Sequence, residues 1–333
     1  MCPKKNFLVI GGGVGPAAGV MFHDKIVNMV DNRGMGDQGH APVIHLSMSP
    51  YVLDRTKFLL ENPRGEIPNP GINMGLAVRE ACKAYASAAQ NFVVGVPCNT
   101  FHSPAVYSAY ESSLQHPRIK LINMIEETAR HPKLVNSPEN QVQKIILLST
   151  RGTRDTEVYD PYFKTIPLTK CNGGPKGEKS DLQETYFNGE RGAINRGVVR
   201  NNMQGAVMAA IYDPEHGVKG TRPNWERAFA LFEAVVAFMV EDTNPENCRV
   251  IMGCTEIPLA YQRGSGREPL ILGNIQNYVD PMDCLAKAMT LAGEYRLKGQ
   301  LDGDVAAEDI PRINKANAEE FTRDLAPILR ARL

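Results

Sequence analysis

The chain has no excess charge of either sign: Lys+Arg and Asp+Glu both number 37 in 333 residues. Nothing in that balance calls for a polyanion or nucleic-acid partner, and there is no acidic tail. No apolar run approaches the roughly 20 residues needed to span a bilayer, so no membrane role is expected. The start, Met1-Cys2-Pro3-Lys4-Lys5-Asn6, leads directly into the strand-like Phe7-Leu8-Val9-Ile10. It lacks the apolar segment and small-residue cleavage site of a signal peptide. Cysteines number 7, an odd and scattered set. That argues against a disulfide framework and fits a reducing, cytoplasmic setting. No CxxC or HxxxH spacing occurs, so a metal site lacks its usual ligand pattern and none is expected.

What is present is an ordinary globular composition, 43% hydrophobic and 22% charged, and enough length for two domains with their own cores. Short apolar runs read as strands at residues 7–10, 43–48, 92–96, 119–122, 144–148, 250–252 and 270–272. Helical spacing fills the intervals, notably 75–89 and 224–240. This alternation predicts βαβ units, that is, α/β domains with parallel sheets flanked by helices. A strand–Gly loop–helix start at residues 11–19 has a counterpart at residues 145–153. Each half then reaches a cysteine-bearing strand about one domain later, which predicts a pseudo-repeat. Residues 164–202 are rich in Gly, Asn and Lys and read as a long surface insertion. Residues 213–223 read as a loop, and 314–333 as a C-terminal helix in an extension over 301–333.

The two cysteine strands carry the chemistry. Phe92-Val93-Val94-Gly95-Val96-Pro97 ends at Cys98, followed by Asn99-Thr100. Arg249-Val250-Ile251-Met252-Gly253 ends at Cys254, followed by Thr255-Glu256. A buried parallel strand reads this way when it delivers a side chain to the carboxyl edge of its sheet. Polar residues opening a helix there expose N–H groups that favour an anion and lower a thiol pKa. Two such edges facing one another would make a two-base proton-transfer site. Cys2, Cys82, Cys171, Cys248 and Cys284 read as small hydrophobes or exposed thiols. His102, four residues after Cys98, leaves open a Cys–His hydrolase, or a wall histidine with a structural role.

The loop Gly13-Val14-Gly15-Pro16-Ala17-Ala18 matches GxGxxA, the looser dinucleotide fingerprint. Its other half is missing: Val43-Ile44-His45-Leu46-Ser47-Met48-Ser49 contains no carboxylate to hold a ribose. Pro16 also stands where close helix–pyrophosphate packing begins. Dinucleotide binding is therefore a poor reading of this loop.

The segments GGGVGP, PCNTFH and GCTEIPL resemble the signature segments of the aspartate/glutamate racemase superfamily of cofactor-independent enzymes. Asp54-Arg55-Thr56, residues 147–153 with Tyr159, and Ile211-Tyr212 followed by Lys219 resemble its aspartate racemase branch. The likeness runs through most of residues 6–290. It implies two pseudo-symmetric α/β domains with the active site in the cleft between them. The implied division is 1–118 plus 271–300 for the first domain, including Asp280-Pro281, and 119–270 for the second.

By the same resemblance Cys98 and Cys254 are the acid/base thiols, and no cofactor is needed. Asn99, Thr100 and Thr255 would hold the α-carboxylate, Thr153 would hydrogen-bond the substrate, and Arg55 and Lys219 would bind a side-chain carboxylate. Gly13 and His102 complete the candidate set, and a homodimer is the family's implied assembly. The chain departs from the pattern at Val14, Gly19 and Phe101, in extra residues between Tyr212 and Lys219, and in the 164–202 insertion. The expected activity is racemisation of aspartate or glutamate. Alternatives are a maleate isomerase-like or hydantoin racemase-like relative, or a non-catalytic small-acid binding protein; exchange of the α-proton of a free amino acid separates them.

Overall fold

The computed structural model describes residues 5–62, 65–173, 181–189, 192–264, 270–299 and 314–315. They form two compact units, Met1–Glu127 with Met282–Leu333, and Thr128–Pro281.

The first unit is built on β1 (Lys5–Gly12), β2 (Val43–Ser47), β3 (Ala89–Gly95) and β4 (Ile119–Leu121). They pair in the order β2-β1-β3-β4, all parallel. Leu8, Val9 and Ile10 are wholly buried, as expected of a central strand covered on both faces. Its helices are α1 (Pro16–Met29), α2 (Ser49–Val52), α3 (Arg55–Leu60), α4 (Pro70–Ala84) and α5 (Pro104–Ser113). Proline at the first turn starts α1, α4 and α5, where its missing N–H costs nothing. Asn69 caps α4 by accepting from Gly71 N–H at 2.8 Å. Met74 and Val78 of α4, Val106 and Tyr110 of α5, and Phe101 close one core with Val9, Phe92 and Val94. The boundary between the units falls within α6 (Met124–Ala129).

The second unit repeats the plan. Its strands are β5 (Lys144–Ser149), β6 (Leu168–Lys170), β7 (Cys248–Gly253) and β8 (Tyr278–Val279), ordered β6-β5-β7-β8 and all parallel. Its helices are α7 (Arg151–Asp155), α8 (Arg196–Asn201), α9 (Met203–Tyr212), α10 (Trp225–Met239) and α11 (Ile257–Gly264). Asn202 and Asn224 cap α9 and α10. The chain then returns to the first unit as α12 (Pro281–Ala292), with Asn314–Lys315 pairing antiparallel to β4. Gly95 admits α12: a Cβ there would lie 2.4 Å from the Met289 sulfur. Lys25 of α1 and Asp283 of α12 are joined at 2.6 Å.

The expected α/β class and the shared plan of the two halves are both present. The boundaries lie elsewhere than expected, because backbone pairing decides them. Residues 119–121 ladder with β3 and belong to the first sheet, while Tyr278–Val279 ladder with β7 and belong to the second. Leu270–Leu272, expected as a strand, is a turn whose Ile271 N–H donates to buried Glu233 at 2.7 Å. Residues 164–202 are not merely a surface insertion: they contribute β6, and Tyr186 is fully buried. Residues 213–223 form the expected loop. The helix expected over 314–333 lies outside the described residues, except for Asn314–Lys315, which are extended.

Candidate active site

In the first unit, β1 and β3 are adjacent and in register, Ile10 opposite Gly95, so their carboxyl ends carry Gly13 and Cys98 to one sheet edge. Gly13 has φ +80, and a Cβ there would stand 2.2 Å from the Met48 nitrogen. Only glycine fits so close to the backbone opening α2. Cys98 is 9% exposed, and its N–H donates to the Val96 carbonyl at 2.9 Å. Asn99 and Thr100 follow it, both buried, at the start of a short 3-10 turn, Thr100–His102.

His102 is settled by its partners. Its Nε2 accepts from Met124 N–H at 3.3 Å. Its Nδ1 therefore bears the proton and donates to the Cys98 carbonyl at 2.9 Å. Burial drives its pKa down to about 4, partly offset by that hydrogen bond, so the ring is neutral. It stacks on Tyr107, with ring centres 4.8 Å apart. Neither ring nitrogen is aimed at the thiol, which removes the Cys–His hydrolase arrangement and leaves the wall role.

Arg55 opens α3, whose cap is Asp54, accepting from Lys57 N–H at 3.0 Å. Its guanidinium donates to the Leu53 carbonyl at 2.7 Å and to the Val14 carbonyl. Leu53 is held at φ 68, a left-handed conformation that costs a non-glycine residue about 1–3 kcal/mol. The strained turn and the glycine loop thus hold a cation between them. β2 ends at Ser47 without a carboxylate, so the ribose-binding half of a nucleotide site is absent at that edge.

In the second unit, β5 and β7 stand in the same relation, Ser149 opposite Gly253. Thr150 caps α7, with its Oγ1 3.4 Å from Thr153 N and 3.3 Å from Thr153 Oγ1. Thr153 is fully buried. Cys254 follows β7 directly and is 5% exposed. Its thiol donates to Glu256 Oε2 at 3.2 Å, and the Thr255 hydroxyl donates to the same oxygen at 3.0 Å. Lys219 Nζ lies 3.2 Å from Glu256 Oε1 and 5.0 Å from the centre of the Tyr212 ring.

Burial pushes the Cys254 thiol up to about 12; Lys219 opposes that rise and the Glu256 charge adds to it. Glu256, 2% exposed, would be raised by burial as well. Lys219 and the donated hydrogen bonds outweigh that and hold its pKa below the ordinary value. The resemblance implies a substrate carboxylate as the partner of Lys219; in the structure a carboxylate of the protein takes that place.

Glu256 is the residue that the sequence reading placed after Cys254 without giving it a role in the site. Its signal was there, a charged residue two positions after a buried strand-end thiol, with no charged residue at the matching position after Cys98. Cys82, Cys171, Cys248 and Cys284 are buried free thiols; Cys2 lies outside the described residues. Among the described residues no three His, Cys, Asp or Glu side chains cluster to hold a metal. No described helix is long and apolar enough to cross a membrane.

No protein-family model matches the chain. No curated protein matches it either. Among solved structures it is similar to glutamate racemase isoform RacE1 from Bacillus anthracis. That likeness has a TM-score of 0.45 and 14% sequence identity, over 87% of this chain and 82% of that one.

Proposed function

We propose that the protein racemises an acidic amino acid, aspartate or glutamate, without a cofactor, using Cys98 and Cys254 as the two acid/base groups. The observation that supports this most is the equivalence of the two thiols. Each follows the third strand of a four-strand parallel ladder, and the two ladders have the same order. Each is followed by a short hydroxyl- or amide-bearing segment, Asn99-Thr100 or Thr255.

Racemisation removes the α-proton from one face of Cα and delivers a proton to the other. In one direction a Cys98 thiolate takes the proton, its S–H bond forming as the C–H bond breaks. Cys254 then gives its proton to the carbanion, keeps the electron pair and becomes a thiolate. The roles exchange for the other enantiomer. The α-proton is weakly acidic, so the charge that develops needs stabilising. Asn99 and Thr100, with the N–H groups around them, are the donors proposed for the α-carboxylate; the Thr255 hydroxyl, which donates to Glu256, would have to turn from it to join them. Arg55 supports an acidic side chain, since guanidinium pairs bidentately with carboxylate and this one is preset by the Val14 and Leu53 carbonyls.

The test is incubation with single amino acids in heavy water, following loss of the α-proton signal by NMR. Exchange on aspartate or glutamate, with both enantiomers appearing, is the expected result. No exchange on either would refute the proposal. Exchange confined to cyclic amides would move it to a hydantoin racemase-like activity.

A further inference from the structure

The two thiols differ in what their sulfur touches, and that difference is local to the second unit. The Cys254 sulfur donates to a carboxylate oxygen that Thr255 also serves, and the other oxygen faces Lys219. Cys254, Thr255 and Glu256 are all nearly inaccessible to solvent. Lys219 is fixed as well: its N–H donates to the Ile211 carbonyl at 3.0 Å, and its ammonium sits over the Tyr212 ring. One ammonium balances one buried anion. Deprotonating Cys254 would place a second anion within hydrogen-bond distance of the first, with no added cation, in a site where little water is present to screen the pair.

We propose that Glu256, with Lys219 as its counter-ion, is a positioning residue that keeps Cys254 as the neutral thiol, so that the protein rests with Cys254 as proton donor. The meaning of this for turnover rests on the racemase reading, whereas the state of the thiol does not. Under that reading the resting protein is ready for the one direction in which Cys254 gives a proton. When the proton leaves, its bonding pair stays on sulfur and two anions face one ammonium. The carboxylate therefore favours prompt reprotonation of Cys254. Two thiols in equivalent strand positions would thus be unequal partners, and the inequality is written in the residue two places after each.

The experiment reads the thiol alone. Carboxamidomethylation of Cys254 by iodoacetamide is followed by peptide mass spectrometry from pH 7 to 10 in the full chain, without substrate. Only thiolate reacts, and this range lies below a midpoint of about 12, so the rate rises tenfold per pH unit and the displacement of that line between variants gives the shift in midpoint. Hydrogen exchange of the Cys254 amide checks that access is the same in each variant. In Glu256→Gln the repelling charge is gone and Lys219 remains. The midpoint should fall by about one unit or more, which is about tenfold faster labelling at a pH below both midpoints. In Lys219→Met the midpoint should rise, and labelling at pH 9 should slow. An unchanged or raised midpoint in Glu256→Gln would overturn the proposal. Should that variant not fold, Lys219→Met decides alone, and an unchanged or lowered midpoint there overturns it. Neither outcome depends on whether the protein racemises anything, so failure of this inference and failure of the proposed activity are separate results.

Discussion

The neighbourhoods of Cys98 and Cys254 share a backbone plan and differ in side-chain chemistry. Both thiols leave the third strand of a ladder with the same order, and both are buried. After Cys98 the chain enters a 3-10 turn whose His102 ties the Cys98 carbonyl to the Met124 N–H. The connection there is through the backbone, and it fixes where the strand end lies. After Cys254 the connection is through sulfur, by way of Glu256 to Lys219. The fold duplicates the position of a thiol, and the residue two places on decides what holds its proton. Thr100 and Glu256 occupy that position in the two halves, and their burial is similar. Charge is therefore the distinguishing variable between them.

The comparison can be broken by exchanging that variable. Under the proposed activity, Glu256→Gln should lower kcat by about a hundredfold or more, the scale of a displaced acid–base group. Thr100→Val, at the matching place after Cys98, should lower kcat by less, since it removes one of several donors to the charge that develops on the α-carboxylate and leaves both thiols and their proton affinities in place. Steady-state kinetics on both variants checks this. Equal losses in kcat would mean that the two neighbourhoods are chemically alike.

A smaller effect sharpens the backbone side of the comparison. His102 has a folded-state pKa near 4, against an ordinary value of 6.5. The unfolded chain therefore binds a proton at this site before the folded one does. The stabilisation is complete above about pH 6.5 and is lost as pH falls towards 4. Its size is on the order of 3 kcal/mol over that window. Glutamine can keep both hydrogen bonds and does not titrate. Urea unfolding of His102→Gln should give a flatter stability profile between pH 6.5 and 4.5 than the parent. Parallel profiles would show that His102 is not held neutral.

The sequence made the central strands legible because burial on both faces turns them into short, nearly unbroken apolar runs. Residues 7–10, 92–96, 144–148 and 250–252 all fall on laddered strands or, at Val96, one residue beyond. The edge strands β6 and β8 were not legible: Leu168-Thr169-Lys170 is no apolar run, and Tyr278-Val279 is only two residues long. Residues 270–272 were misleading for a physical reason. The run is apolar, but Ile271 N–H is taken by the Glu233 carboxylate, which also accepts from Tyr261 and Tyr278. A buried carboxylate on a distant helix outcompetes the ladder, and no local pattern announces it.

The same limit explains the site. Cys98 and Cys254 could be found from their strand ends and Gly13 from its loop, whereas Arg55 came from the family resemblance alone. That Lys219 meets Glu256 could not, because it depends on how the 213–223 loop folds back on the second sheet. His102 was ambiguous for a similar reason, since its second partner, Met124 N–H, comes from a separate helix.

The equivalence of the two thiols is tested most directly by following interconversion of pure L-aspartate and L-glutamate by circular dichroism. The parent is compared with Cys98→Ala and Cys254→Ala, each shown to be folded by its unfolding transition. The account predicts racemisation by the parent on at least one of the two substrates, and a loss of about a thousandfold or more in each variant. A folded alanine variant that still racemised its substrate at the parent's rate would contradict it.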